Sequence, residues 1–179
     1  MFNLTQGLRL GFMLSRPWRF RLCHVYTRIE TALAQGSVPP ADGEFRFWGL
    51  GDDILCVAVN EKIVLVSNWA GLAFPNIPWR PPAESPPAKP FGGGARIVPG
   101  DWVALKGGAT VDLDVLIGER PGNLFSSFVL TEKRGETYDT RAGYPRLPIL
   151  QLAPYETPTP PAGKAPLFLP GCAVWKGVE

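Results

Sequence analysis

Residues 43–66 read GEFRFWGLGDDILCVAVNEKIVLV, and this stretch decides the fold. Glu44 to Trp48 alternates polar and aromatic side chains, the two-residue period of a strand whose faces meet different surroundings. Gly49-Leu50-Gly51-Asp52-Asp53 interrupts the alternation. Ile54 to Val59 is rich in β-formers. Asn60-Glu61 separates it from Lys62 to Val66, so residues 54–66 predict a tight antiparallel hairpin. The favoured two-residue turn places both central residues at positive φ. Glycine suits the second position, so Glu61 there carries a conformational cost or the loop takes another type.

Downstream, Asp101 to Leu105 reads as a short strand ended by Gly107-Gly108. Val111, Leu113, Val115 and Ile117 alternate with Asp112 and Asp114, the pattern of a half-buried strand with one wet face. Gly118 to Gly122 is a turn. Leu124 to Thr131 is a further strand, with Phe125, Phe128 and Leu130 as core candidates, and Leu147 to Leu152 a last edge strand. Upstream, Phe20 to Ile29 reads as a strand, 30–35 as a brief helical or irregular link, and Ser37 to Gly43 as a turn. Residues 3–14 form a short helix or an irregular arm, weakened as a helix by two glycines, and Pro17 marks a boundary. About seven to nine strands joined by turns favour a sandwich or barrel over a parallel α/β sheet.

The segment 68–100 is a long connection with many Pro and Gly residues. It also holds Trp69, Phe74, Trp79 and Phe91, more aromatics than a disordered linker carries, so parts of it are expected to pack down. The end of the chain is proline-rich, with Leu167-Phe168-Leu169 and Trp175 placed to dock on the body. The expected organisation is an arm at 1–19, a β-sandwich body at 20–153 that includes the long loop, and a tail at 154–179.

Composition narrows the function. The chain has 179 residues, 45% hydrophobic and 19% charged, enough apolar material for a core. Gly and Pro number 20 each and cluster between apolar runs, as turns do in an all-β protein. The net charge is +2, and the one basic cluster, Arg16, Arg19 and Arg21, is too small for a phosphate-tracking surface, so nucleic acid is excluded as a partner. No stretch has the length of a membrane-spanning helix. Met1 to Leu14 lacks the ordered charge, apolar run and small residues of a secretory signal. Cys23, Cys56 and Cys172 match no zinc or redox spacing, and Cys23 and Cys56 read as small buried thiols, with one disulfide left open.

Two segments together resemble the protective-antigen (PA14) domain family. The first, Gly43 to Leu65, matches that family's Gly-x-Tyr/Phe-x-Phe strand, its Asp-Asp pair, and the hairpin with an Asn/Asp-Gly-Lys turn that follows. The second, Leu105 to Glu119, is similar to its L-x-x-G turn before a strand, with Phe125 to Leu130 as the closing strand. The resemblance spans about residues 20–135, and the sequence departs from it at Glu61, where Gly is usual, and at Ile54, where many members have Gly. It implies an antiparallel β-sandwich of jelly-roll type and a non-catalytic carbohydrate-recognition or adhesion module, extracellular or at a cell surface. In the adhesin branch the aligned Asp pair holds Ca²⁺, which implies a metal site at Asp52 and Asp53.

The residues themselves leave alternatives open. Asp52-Asp53 offers hard oxygen ligands for Ca²⁺, completed by carbonyls, water or one of Asn68, Asn76 and Asn123; the same carboxylates can instead tie down a turn. Trp69 and Trp79 form either a flat platform for a glycan or pins that hold the long loop. His24 has no acid or nucleophile partner in sequence. Asp112 and Asp114 lie on one face of one strand, where a solvated face explains them better than a glycosidase pair. A binding module for a glycan or surface partner leads. The alternative is a structural or protein-interaction domain of a larger exported protein, and an enzyme comes last.

Overall fold

The computed structural model describes residues 28–69, 78–92, 95–119, 127–151 and 174–177, with side-chain burial described for all of these except 28–35, 92, 119 and 177. Among them all regular structure is β and every strand pairing is antiparallel. The strands are β1 (Arg28–Val38), β2 (Gly43–Leu50), β3 (Ile54–Val59), β4 (Lys62–Val66), β5 (Lys89–Gly92), β6 (Ala95–Leu105), β7 (Val111–Glu119), β8 (Phe128–Lys133), β9 (Thr140–Arg141), β10 (Tyr144–Pro145) and β11 (Lys176–Gly177). One sheet has the order β11-β1-β7-β3-β4 and the other β5-β6-β2-β8, while β9 and β10 form a small ribbon.

The two larger sheets face each other, as in a β-sandwich. Phe45 and Phe47 of β2, Leu105 of β6 and Val129 of β8 meet Leu55, Val57 and Val59 of β3, Val64 and Leu65 of β4, and Val111, Leu113 and Val115 of β7 in one buried cluster. The alternation on β7 falls as expected: Val111, Leu113 and Val115 are buried, and Asp112 and Asp114 are half-buried on the other face. Trp175 closes this core, 1% exposed, with its ring 5.4 Å from Phe45 and 5.6 Å from Phe47. The two residues after it pair with Val38 and Ser37 of β1. The end of the chain thus joins the sandwich, as the docking of Trp175 anticipated.

The outer face of the four-stranded sheet carries a second cluster: Trp48, Leu50, Ala95, Ile97, Leu130 and Leu147, with Trp69, Phe91, Phe128, Tyr138 and Ile149 packed against it. β2 is therefore covered on both sides. Within this layer Arg46, 5% exposed, sends Nε and Nη2 to Glu132 Oε2 at 2.8 and 2.6 Å, and Trp48 Nε1 donates to the same oxygen at 2.6 Å. The Arg46 guanidinium also lies 4.4 Å from the Trp102 ring centroid. Trp102, Arg46 and Glu132 are direct cross-strand neighbours on β6, β2 and β8, so register alone assembles the ion pair and its aromatic cover.

The hairpin at 54–66 forms as read, with Asn60 at φ 48° and Glu61 at φ 66°. Other expectations are corrected. Residues 30–35, read as a helical or irregular link, belong to β1, because Glu30 to Ala34 pair with Ile117 to Leu113 of β7 and a ladder partner outweighs local helix propensity. The strand expected at Asp101 begins at Ala95, inside the segment read as one loop to residue 100, and β5 arises in the same segment. The edge strand expected over Leu147 to Leu152 reduces to an isolated bridge between Leu130 and Ile149, flanked by Thr131 N–H to Pro148 O and Leu150 N–H to Val129 O. The Phe20 to Ile29 strand and the arm at 1–19 lie outside the described residues, apart from Arg28 and Ile29 at the start of β1, and so do Phe125 and Leu167 to Leu169.

Two stability measurements follow. Glu61→Gly relieves a left-handed conformation and is expected to add about 1 kcal/mol in denaturant unfolding, since that conformation costs a non-glycine residue roughly 1–2 kcal/mol. Glu132→Ala strands the Arg46 charge and is expected to cost about 3–5 kcal/mol, whereas replacing Arg46 and Glu132 together by apolar residues recovers much of it. Equal losses for the single and double replacements would show that the ion pair does not govern this layer.

Candidate functional site

The Asp pair sits where the β3–β4 ladder runs past its strands. Ser67 N–H donates to Leu55 O at 2.9 Å and Trp69 N–H to Asp53 O at 2.7 Å, so 67–69 lies alongside 53–55. On the other side Asp53 N–H donates to Gly118 O at 3.1 Å. Asn68 Oδ1 accepts from Leu55 N–H at 3.2 Å. The preceding residue must be glycine: a Cβ on Gly51 would collide with the Leu55 nitrogen, the Ser67 carbonyl oxygen and the Ile54 carbonyl carbon. Backbone from three directions thus clamps residues 51–53, and the Asp52–Asp53 peptide bond is cis.

The carboxylates differ. Asp53 is 7% exposed, while Asp52 is half-buried. Burial first, and then the Asp53 charge, hold the Asp52 carboxyl above the ordinary carboxylate range. Its folded state therefore favours the protonated form, so the stability it contributes is complete at low pH and is lost as pH rises through its folded pKa. A cation beside Asp52 would offset the Asp53 charge that acts on it. Among the described residues no three His, Cys, Asp or Glu side chains come together. An ion at the pair would complete its shell from backbone carbonyls, water and the amide oxygen of Asn68. Asn76 and Asn123 lie outside the described residues.

Trp69 and Trp79 are both half-buried and belong to different clusters. Trp69 packs on the outer layer with Trp48 and Leu50. Trp79 packs against the inter-sheet core and donates Nε1–H to Asp101 Oδ1 at 3.3 Å. The backbone of Trp69 borders the Asp pair, and Trp79 anchors the far part of the long connection near β6.

The remaining candidates resolve simply. Cys56 is a free, buried thiol pushed up to about 11 by burial and by Asp114, so it stays protonated at neutral pH and is a poor nucleophile. His24, Cys23 and Cys172 lie outside the described residues. Asp112 and Asp114 share the face of β7 turned away from the core, which is the wrong placement for two groups flanking a glycosidic bond. Sequence reasoning missed the buried Lys89, whose only signal was a lysine amid prolines, and the Trp102-Arg46-Glu132 row, which no one-dimensional spacing reveals. No helix among the described residues is long and apolar enough to cross a membrane. Comparison with family models, with curated proteins and with solved structures finds no match.

Asp52→Asn removes one of the two crowded charges. In the absence of added divalent cations it is expected to raise the melting temperature at pH 7 by about 1–2 °C. The gain is expected to fade at acid pH, where wild-type Asp52 is itself neutral. A constant difference at every pH would show that the effect is not electrostatic.

Proposed function

We propose that this chain is a non-catalytic binding module with a sandwich of the protective-antigen, jelly-roll type, which takes Ca²⁺ at Asp52 and Asp53 and recognises a glycan beside it. The observation that carries this reading is the clamped turn at 51–53: its two adjacent carboxylates differ in burial, and the more accessible one carries an unfavourable negative charge. Asp52 and Asp53 would hold the ion and Asn68 would stand next to it. Bound there, Ca²⁺ supplies a hard centre able to accept hydroxyl oxygens. Trp69, whose backbone N–H bonds to Asp53 O, carries a half-buried ring of the kind on which a sugar stacks. The resemblance of Gly43–Leu65 and Leu105–Glu119 to the protective-antigen domain supports the same reading and favours an extracellular or cell-surface setting.

A second reading, a structural or protein-interaction domain of a larger exported protein with no small ligand, draws on the packing of Trp69 and Trp79. Each rests on a core cluster, which is the behaviour of loop anchors.

Isothermal titration with CaCl₂ distinguishes the two. Saturable heat in the wild type, lost in Asp52→Ala/Asp53→Ala with the fold retained by circular dichroism, is the expected result. Calcium-dependent signal on a glycan array, lost in Asp53→Ala, completes it. Absence of heat and of any change in melting temperature would make the pair turn architecture and favour the protein-interaction reading.

A further inference from the structure

The end of the sandwich that carries the Asp pair also carries an arginine. Ile97 of β6 packs in the outer layer and Val98 against the inter-sheet core. Strand alternation turns Arg96 the way of Val98, toward the sheet that holds the Asp pair. Arg96 is exposed, whereas Ala95 and Ile97 on either side of it are buried.

Ser67 ties Arg96 to the pair. Its Oγ donates to Arg96 O at 3.4 Å. Its carbonyl oxygen lies against Gly51, where it helps to exclude a Cβ, and Asp52 follows Gly51 directly. Ser67 is also held to Leu55 O through its N–H, and two residues later Trp69 N–H bonds to Asp53 O. Ser67 is only 2% exposed, so a buried residue fixes the spacing between Arg96, the Asp turn and Trp69. On its other side Arg96 pairs in the ladder with Pro90 of β5, which brings no charge. No carboxylate among the described residues forms an ion pair with Arg96.

A guanidinium presents a planar fork of N–H donors that matches a carboxylate, and Ca²⁺ takes the same group as a hard oxygen ligand. A neutral sugar offers only hydroxyls to the ion and leaves the fork unused. A sugar carboxylate serves the ion and the arginine together. We propose that the glycan taken at this site is acidic: a uronic-acid sugar whose carboxylate lies between Ca²⁺ at Asp52 and Asp53 and the Arg96 guanidinium, with Trp69 beside the ring. This inference rests on the calcium and glycan reading above and adds the class of sugar to it. Arg96 selects the sugar and is not a ligand of the ion.

The test uses the full chain. Isothermal titration with CaCl₂ alone comes first. A trisaccharide ending in glucuronate and the same trisaccharide ending in glucose are then titrated in CaCl₂ at matched ionic strength. The wild type is expected to bind the glucuronate form about tenfold or more tightly, as a charge-assisted hydrogen-bonded pair provides. Arg96→Gln, at an exposed position where folding is not at stake, is expected to bring the two sugars to equal affinity while leaving the CaCl₂ heat unchanged. Arg96→Lys is expected to keep part of the preference, since it retains the charge without the fork. CaCl₂ heat with equal binding of the two sugars, with no binding of the glucuronate form, or with a preference that survives in Arg96→Gln overturns the inference and leaves calcium binding at the Asp pair in place. Absence of CaCl₂ heat removes the calcium reading and the inference with it.

Discussion

Burial of β2 on both faces is the constraint on which the rest of the architecture hangs. Phe45 and Phe47 point into the space between the sheets, and Arg46, Trp48 and Leu50 point the other way into a second layer. A strand covered on both sides cannot slip by one residue, since a slip would drive the arginine into the apolar inter-sheet core and away from Glu132. The ladders to β6 and β8 then follow, and with them the cross-strand row Trp102, Arg46, Glu132.

Covering the outer face takes chain from elsewhere. Leu147, Ile149 and Tyr138 fold back over it from beyond β8, and Trp69 and Phe91 reach it from the long connection after β4. The segment 134–151 is therefore structural despite its scant regular secondary structure. It also sets the β9–β10 ribbon beside β5 and leaves Lys89 enclosed next to Tyr144 and Arg141. On the opposite side of the core, the final described residues complete the fold: Trp175 fills the interior against Phe45 and Phe47, and β11 extends the five-stranded sheet.

The chemical character of the molecule follows from which charged groups these layers enclose. Just before β3, backbone on either side fixes the Asp pair, and burial with the Asp53 charge holds the Asp52 carboxyl above the ordinary carboxylate range. On the outer layer a carboxylate, Glu132, neutralises Arg46, whereas Lys89 has no such partner among the described residues.

The sequence by itself determined the all-β class, the 54–66 hairpin, the wet face of β7 and the buried thiol of Cys56, and it offered Trp175 as a docking residue. Each rests on a local period, on turn chemistry or on the apolar character of one side chain. It also placed the Asp pair in a turn, because glycines and carboxylates cluster there. Only the tertiary structure decided that 30–35 is strand, that β6 begins at Ala95, and that the 147–152 segment contributes little more than a bridge, since a ladder partner distant in sequence overrides local preference. The same holds for the charged groups. Glu132 lies 86 positions from Arg46, and Lys89 is enclosed by a ribbon some fifty residues further along the chain, so the meeting of these side chains is a property of sheet register and layer packing that no linear pattern encodes.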